Sequence, residues 1–340
     1  MKKISLLIGA LLVFLAIFIA WFAPSAYIGT PGQITVRVVV PKDANTKTVA
    51  QILSDKGVIT SSFGYEFYSL LDAAARNPRA GEYEVAPGAS YKLIARQLNM
   101  GPTRNEITLQ FIEGSDLKDW QAYLRERNVS ETSITDLVGD TASGKPFAPA
   151  LREQYIFLKD LPEDATLEGY LFPDTYRVWQ DQLPLGIVLK QLNEFDKQIQ
   201  DLEDQIAKDN RSLHEILTLA SIVEKEGRNK EERRNIARIF LNRLKIGMRL
   251  QSDATVNYVT GENRPRPTLD DLEIASPYNT YRNEGLPPGP ICNPGKDALE
   301  AALNPADNDY YFYLHDEEGN IYYARNAEEH KQNRYKAYGE

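Results

Sequence analysis

The segment Leu219-Ala-Ser-Ile-Val-Glu-Lys-Glu-Gly227 constrains this chain more than any other. It reads as an apolar helix that runs into two carboxylates and a glycine and stops there, so the fold has to bury the helix and present its acidic end. Ser212 with Glu215 makes a capping box that starts it. With successive residues about 100° apart, the apolar face centres between Leu219 and Ala220, and Glu224 and Glu226 lie on opposite margins of that face. An acid at the end of a buried helix is poorly hydrated and can hold its proton near neutral pH. Periodicity leaves both glutamates open for that role. Gly227, beside Glu226, lets a substrate approach closely. Both acids read equally well as solvated residues at a helix end.

The N-terminus points to a compartment. Met1-Lys-Lys precedes Ile4 to Phe22, 19 residues without charge or proline. As a helix the run spans roughly 28 Å, close to the ~30 Å hydrocarbon core of a bilayer. No basic residue follows until Arg37, so the lysine bias sends the remaining chain outward. The expectation is a cytoplasmic tip and transmembrane anchor over residues 1–24, with the lipid bilayer as a partner through residues 4–22. The chain would then be a single-pass protein of a bacterial inner (cytoplasmic) membrane with its catalytic body on the periplasmic side. A cleavable signal peptide ending near Pro24-Ser-Ala26 is the alternative. Cys292 is the only cysteine, so no intrachain disulfide is expected, and with three histidines no metal site or cofactor is expected either. The net charge of -9, with basic residues mixed among acids, argues against nucleic acid as a partner.

Hydrophobic periodicity predicts an α+β class with two folded parts behind the anchor. Residues 34–100 read as a small module: strand Ile34 to Val40, helices around Val49 to Leu53 and Phe67 to Ala75, strand Gly81 to Val85 and helix Tyr91 to Leu98. Residues 107–340 read as a larger mixed domain. It starts with strand Ile107 to Ile112 and helix Leu117 to Arg125, followed by a surface excursion from Ser130 to Pro149. A long charged helix near 184–209 is expected to project from the body. Glu231 to Ile246 is a helix closed by Gly247 as a left-handed cap. From Gly247 to Pro294 the chain reads mostly as loop, too long for an idle connection and so expected to face a ligand. Asp297 to Leu303, a hairpin of Tyr310 to Leu314 with Ile321 to Tyr323, and a helix around Glu328 to Tyr335 complete it.

A membrane-tethered acid suggests a glycan of the cell envelope as substrate. Glycoside cleavage often uses two carboxylates, and Glu168, Asp174 and Asp253 are candidates for the second. A single glutamate also suffices when the sugar supplies its own nucleophile. In N-acetylmuramic acid the acetamido oxygen can stabilise the anomeric carbon while the 6-hydroxyl attacks it.

Several segments carry a resemblance in order along the chain: Glu113-Gly114, Glu168-Gly-Tyr-Leu-Phe-Pro-Asp-Thr175, Ala220 to Glu226, Phe240-Leu-Asn-Arg-Leu244, Ile246 to Asp253, Tyr278-Asn-Thr-Tyr281 and Gly285-Leu-Pro-Pro-Gly289. From about residue 107 onward the chain resembles the endolytic murein transglycosylase family. The resemblance implies a LysM-like module over 34–100, a catalytic transglycosylase domain over 107–340, and Glu226 as the catalytic glutamate. It implies endolytic cleavage between N-acetylmuramic acid and N-acetylglucosamine in nascent peptidoglycan, leaving 1,6-anhydromuramyl ends and terminating strand elongation. Peptidoglycan strands, peptidoglycan synthases and the elongation or division machinery are the implied partners. Substrate contacts are expected at Glu168, Arg243, Gln251, Asp253, Asn279 and Tyr281, with Arg243 alternatively pairing with Glu231 or Glu232 on the surface. Asn242, Gly227 and Gly247 are expected to be structural. Ser252, where Thr is common, and Ile291-Cys292 depart mildly from the pattern, and neither is expected to touch the acid. A water-using hydrolase in the same cleft and a non-catalytic peptidoglycan-binding scaffold are the rival readings.

Overall fold

The computed structural model describes residues 35–102, 105–262 and 264–339. They divide between residues 104 and 105 into two compact units, each with its own hydrophobic core.

In the smaller unit, strand β1 (Val36–Val40) pairs antiparallel with β2 (Gly81–Val85), Val36 opposite Val85. Alternation places Val38, Val40, Tyr83 and Val85 on one buried face. Helices α1 (Thr46–Asp55), α2 (Ser62–Leu71), α3 (Ala73–Arg76) and α4 (Tyr91–Met100) complete this unit. Asn45, Ser61 and Ser90 cap three of them by accepting backbone N–H groups of the first turn. The single helix expected from Phe67 to Ala75 is broken at Asp72, whose extended backbone ends α2 and whose carboxylate caps α3.

The larger unit is mainly helical with two strand pairs. β3 (Glu106–Gln110) pairs antiparallel with β4 (Thr175–Trp179), and β5 (Phe312–His315) with β6 (Ile321–Ala324). Between the first two strands run α5 (Leu117–Arg125), α6 (Glu131–Val138) and α7 (Pro149–Gln154). The expected surface excursion from Ser130 to Pro149 therefore contains a helix, and it buries Ile134, Val138 and Phe147 in the core. After β4 come α8 (Leu185–Asp201) and the short α9 (Glu203–Ile206). The helix near 184–209 does not project. It ends at Asp201, buries Ile187, Val188, Leu192 and Phe195, and its Gln191 accepts a hydrogen bond from the Trp120 indole at 2.7 Å.

Helix α10 (Leu213–Glu226) is the centre of this unit, and the Ser212–Glu215 capping box starts it. Every residue from Ile216 to Glu224 is buried. Packing against α11 (Lys230–Lys245), α12 (Asp253–Thr260) and α14 (Lys296–Leu303) encloses it. Each of its buried Ile, Leu and Val side chains contributes roughly 1.5–3 kcal/mol. The stretch after Gly247 is less of a loop than its prolines suggest, because it holds α12 and α13 (Leu269–Leu272). Helix α15 (Ala327–Tyr338) closes the unit.

Among the described residues no helix is long and apolar enough to cross a membrane. None of the described residues meets the expectation of a transmembrane anchor, with the bilayer as a partner and a single-pass inner-membrane placement with a periplasmic body. The run Ile4 to Phe22 on which that expectation rested lies outside the described residues.

Candidate active site

Helix α10 ends at Gly227, whose N–H still bonds the Val223 carbonyl at 2.9 Å. Glu224 and Glu226 face different surroundings across this end. Glu224 is buried, pairs through one oxygen with Arg233 of α11, and accepts the Gly295 N–H at 3.0 Å on the other. Burial raises its pKa against the pull of Gly295 and Arg233. Both its oxygens are spent on holding α11 and the start of α14 against α10.

Glu226, half-buried, opens into a groove of about 930 Å³. Its Oε1 accepts the Ser252 hydroxyl at 2.6 Å, and the Tyr313 hydroxyl lies near enough to the same carboxyl to lower its pKa. Burial is the largest influence and raises its pKa; the two hydroxyls and His315 pull it down, while Asp253 pushes it up. The groove thus presents a carboxyl that keeps its proton at higher pH than a solvated glutamate.

Arg243, Gln251, Asp253 and Tyr281 line this groove with Glu226. Asp253 begins α12 and accepts the Tyr281 hydroxyl at 2.5 Å. Gln251 takes a left-handed backbone with φ 49°, its N–H fixed to the Thr280 carbonyl at 3.1 Å. Arg243 is buried rather than paired on the surface with Glu231 or Glu232. Its Nε donates to the Tyr311 carbonyl at 2.7 Å and its Nη1 to the Leu250 carbonyl. Glu232 instead bonds His315 at 3.2 Å.

Two expected contact residues stand apart from the groove lining. Asn279 is fully buried and its amide donates to the Leu272 and Ile274 carbonyls at 3.0 and 2.9 Å, while its Oδ1 accepts the Tyr281 N–H at 3.0 Å. It shapes the loop that presents Tyr281. Glu168 is 5% exposed and lies behind the groove wall. Its carboxyl oxygens accept the Leu117 N–H at 3.1 and 3.0 Å, and Oε2 accepts the hydroxyl of Tyr258, a groove residue, at 3.3 Å. Burial, helped by the charge of Asp116, pushes its pKa up to about 8.

Asn242 braces the segment behind it through the Asn308 and Tyr310 carbonyls at 3.2 and 3.0 Å. Gly247 has φ 68° after the end of α11, a conformation that costs glycine little. Gly227 has an ordinary φ of -94°. A methyl group there would meet the backbone nitrogen of Arg233 at 2.9 Å, so its smallness serves the α10–α11 corner rather than the approach of substrate. Cys292 is buried, its thiol donating to the Ser221 carbonyl at 3.3 Å. His214, on the same helix as the acids, is bonded to Tyr170 and to the Pro288 carbonyl, both at 2.8 Å. Among the described residues no three His, Cys, Asp or Glu side chains stand together as a metal site.

Ser252, Tyr313 and His315 were absent from the residues expected to serve the site. Ser252 was expected only as a mild departure from the pattern with no contact to the acid, and its 2.6 Å bond to Glu226 corrects that. Tyr313 lies in a strand whose alternation says nothing about a carboxyl across the groove.

Comparison with known proteins gives a consistent picture. The model of the YceG-like family matches residues 38–336. The chain is 32% identical over 307 residues to the endolytic murein transglycosylase of Bacillus subtilis (strain 168), covering 88% of this chain and 83% of that protein. It is 31% identical over 318 residues to the endolytic murein transglycosylase of Streptococcus pneumoniae serotype 2, spanning only 57% of that longer protein. The crystal structure of a YceG-like protein from Listeria monocytogenes superposes with a TM-score of 0.58 at 31% identity, covering 88% of this chain and 99% of that one.

Proposed function

Because the chain belongs to the YceG-like family, that of the endolytic murein transglycosylases, we propose that Glu226 is the acid and then the base in cleavage of a peptidoglycan strand. Membership brings with it the reaction class: a lytic transglycosylase, a lyase acting on peptidoglycan glycan strands. The observation that carries the assignment is the contrast at the end of α10. Glu224 has both oxygens committed to structure, whereas Glu226 lines the groove with one oxygen on the Ser252 hydroxyl.

In the proposed reaction Glu226 starts protonated and gives its proton to the glycosidic oxygen between N-acetylmuramic acid and N-acetylglucosamine. The C1–O bond breaks as the acetamido oxygen of the muramyl residue stabilises C1. The Glu226 carboxylate then takes the proton of the 6-hydroxyl as O6 bonds to C1. A 1,6-anhydromuramyl end results, no water is consumed, and the strand can no longer be extended from it. Asp253 with Tyr281, and Gln251, stand where sugar hydroxyls and ring faces would lie. The enzymes that extend glycan strands are the partners that supply such a substrate. The β1–β2 pair with its flanking helices supports a LysM-like, glycan-holding reading of residues 34–100.

Glu226→Gln tests the assignment. General acid–base catalysis contributes on the order of 10²–10⁴-fold, and strand cleavage should fall by that factor while the fold survives. Mass spectrometry of the wild-type products should show ends one water lighter than reducing ends. Retained cleavage in the variant would remove Glu226 from the chemistry, and reducing ends alone would make the reaction a hydrolysis.

A further inference from the structure

Glu226 accepts one hydroxyl and lies beside a second, carried on two distant parts of the chain. Ser252, at the start of α12, donates to Oε1, and Tyr313, in β5, lies near the same carboxyl. Ser252 is 1% exposed, so water has little room to replace its hydroxyl. Its own placement is fixed: its N–H bonds Thr280 Oγ1 at 3.0 Å, and its carbonyl accepts the Thr255 hydroxyl at 2.7 Å. Arg243 joins the two carriers, one end of its guanidinium on the Leu250 carbonyl before Ser252 and another on the Tyr311 carbonyl before Tyr313.

We propose that Ser252 is a positioning residue that sets which oxygen of Glu226 bears the transferable proton, with Tyr313 tuning the same carboxyl from β5, and that Arg243 holds the two in register. The inference rests on the reading of Glu226 as the acid. A protonated carboxyl has one carbonyl-like oxygen, and the oxygen that accepts a strong hydrogen bond takes that role. Donation to Oε1 therefore leaves the proton on Oε2. After transfer the same donors stabilise the carboxylate, which opposes burial and keeps the group able to release its proton. The other groups felt by Glu226 are Asp253 on α12, His315 on β5, Arg243 on α11 and Tyr281, whose hydroxyl Asp253 already engages. All of them remain when Ser252 is changed.

The test combines kinetics with a titration that needs no turnover. Ser252→Ala should lower kcat roughly tenfold to a hundredfold and move the alkaline limb of the kcat/KM profile upward by about one pH unit. Tyr313→Phe should act in the same direction, and Ser252→Thr, which keeps the hydroxyl, should restore most of the loss. NMR titration of the Glu226 carboxyl carbon in the intact chain should show the same upward movement in Ser252→Ala even if that variant is inactive. An unmoved carboxyl titration, or a Thr variant as impaired as the Ala one, would overturn the proposal. Arg243→Lys, which loses the two-headed donor, should lower kcat with KM nearly constant; a raised KM at constant kcat would make Arg243 a substrate ligand instead. These outcomes are separable from failure of the acid assignment, which would appear as wild-type cleavage by Glu226→Gln.

Discussion

Glu224 and Glu226 are the same side chain two positions apart, and their work is divided by what surrounds them. One closes a corner between helices and the other faces a groove lined by Gln251, Asp253 and Tyr281. Glu168 is a third buried carboxyl, and its titration makes a prediction about stability. Its folded pKa is about 8 against an ordinary 4.5, so between those values the folded chain keeps a proton that the unfolded chain has released. Stability should therefore fall as pH rises through that window and level off above it, by about 1.4 kcal/mol for each pH unit crossed. Urea midpoints taken near pH 5 and near pH 8 should differ less for Glu168→Gln, which stays neutral throughout, than for the wild type. An unchanged slope in the variant would assign the pH dependence to other groups. Helical periodicity places both glutamates of α10 on the margins of its apolar face, and only the family resemblance chooses Glu226. The partners that distinguish them, Arg233, Gly295, Ser252 and Tyr313, come from other segments, and no local pattern announces such contacts.

At the scale of elements, the α10–α11 corner is where packing tolerates least. Gly227 sits against the backbone of Arg233, and an added methyl group would have to displace a helix rather than a flexible side chain. Gly227→Ala should cost about 1–3 kcal/mol in thermal or denaturant unfolding. A neutral result would show that the corner relaxes freely. Elements with a strong local signature were legible in the sequence: the β1–β2 strands, α5, the capped α10, α11 and the C-terminal hairpin. Those whose identity depends on tertiary burial were not. α6 lies in a stretch of polar and turn-forming residues, and its Ile134 and Val138 are too few to show a period. α12 was hidden by the prolines that follow it. The charged face of α8 suggested projection, although its Ile187, Leu192 and Phe195 are spaced for burial.

At the scale of the molecule, all groove residues belong to the unit that begins at Asn105, and that unit has a core of its own. A chain starting at Asn105 should fold cooperatively and cleave soluble glycan oligomers within a few-fold of the intact protein. Loss of cleavage by a folded fragment of that kind would give the smaller unit a direct part in the reaction. The groove draws on α10, α11 and the α12 region, which follow one another, and on the hairpin of β5, which lies well beyond them in the chain. Tyr313 arrives on that hairpin, well after Glu226 in the chain, and Arg243 ties the strand down. During synthesis the acid is therefore made long before its second hydroxyl partner. A nascent chain carries a blunt tool, and the edge is set only when the β5–β6 hairpin has emerged and docked.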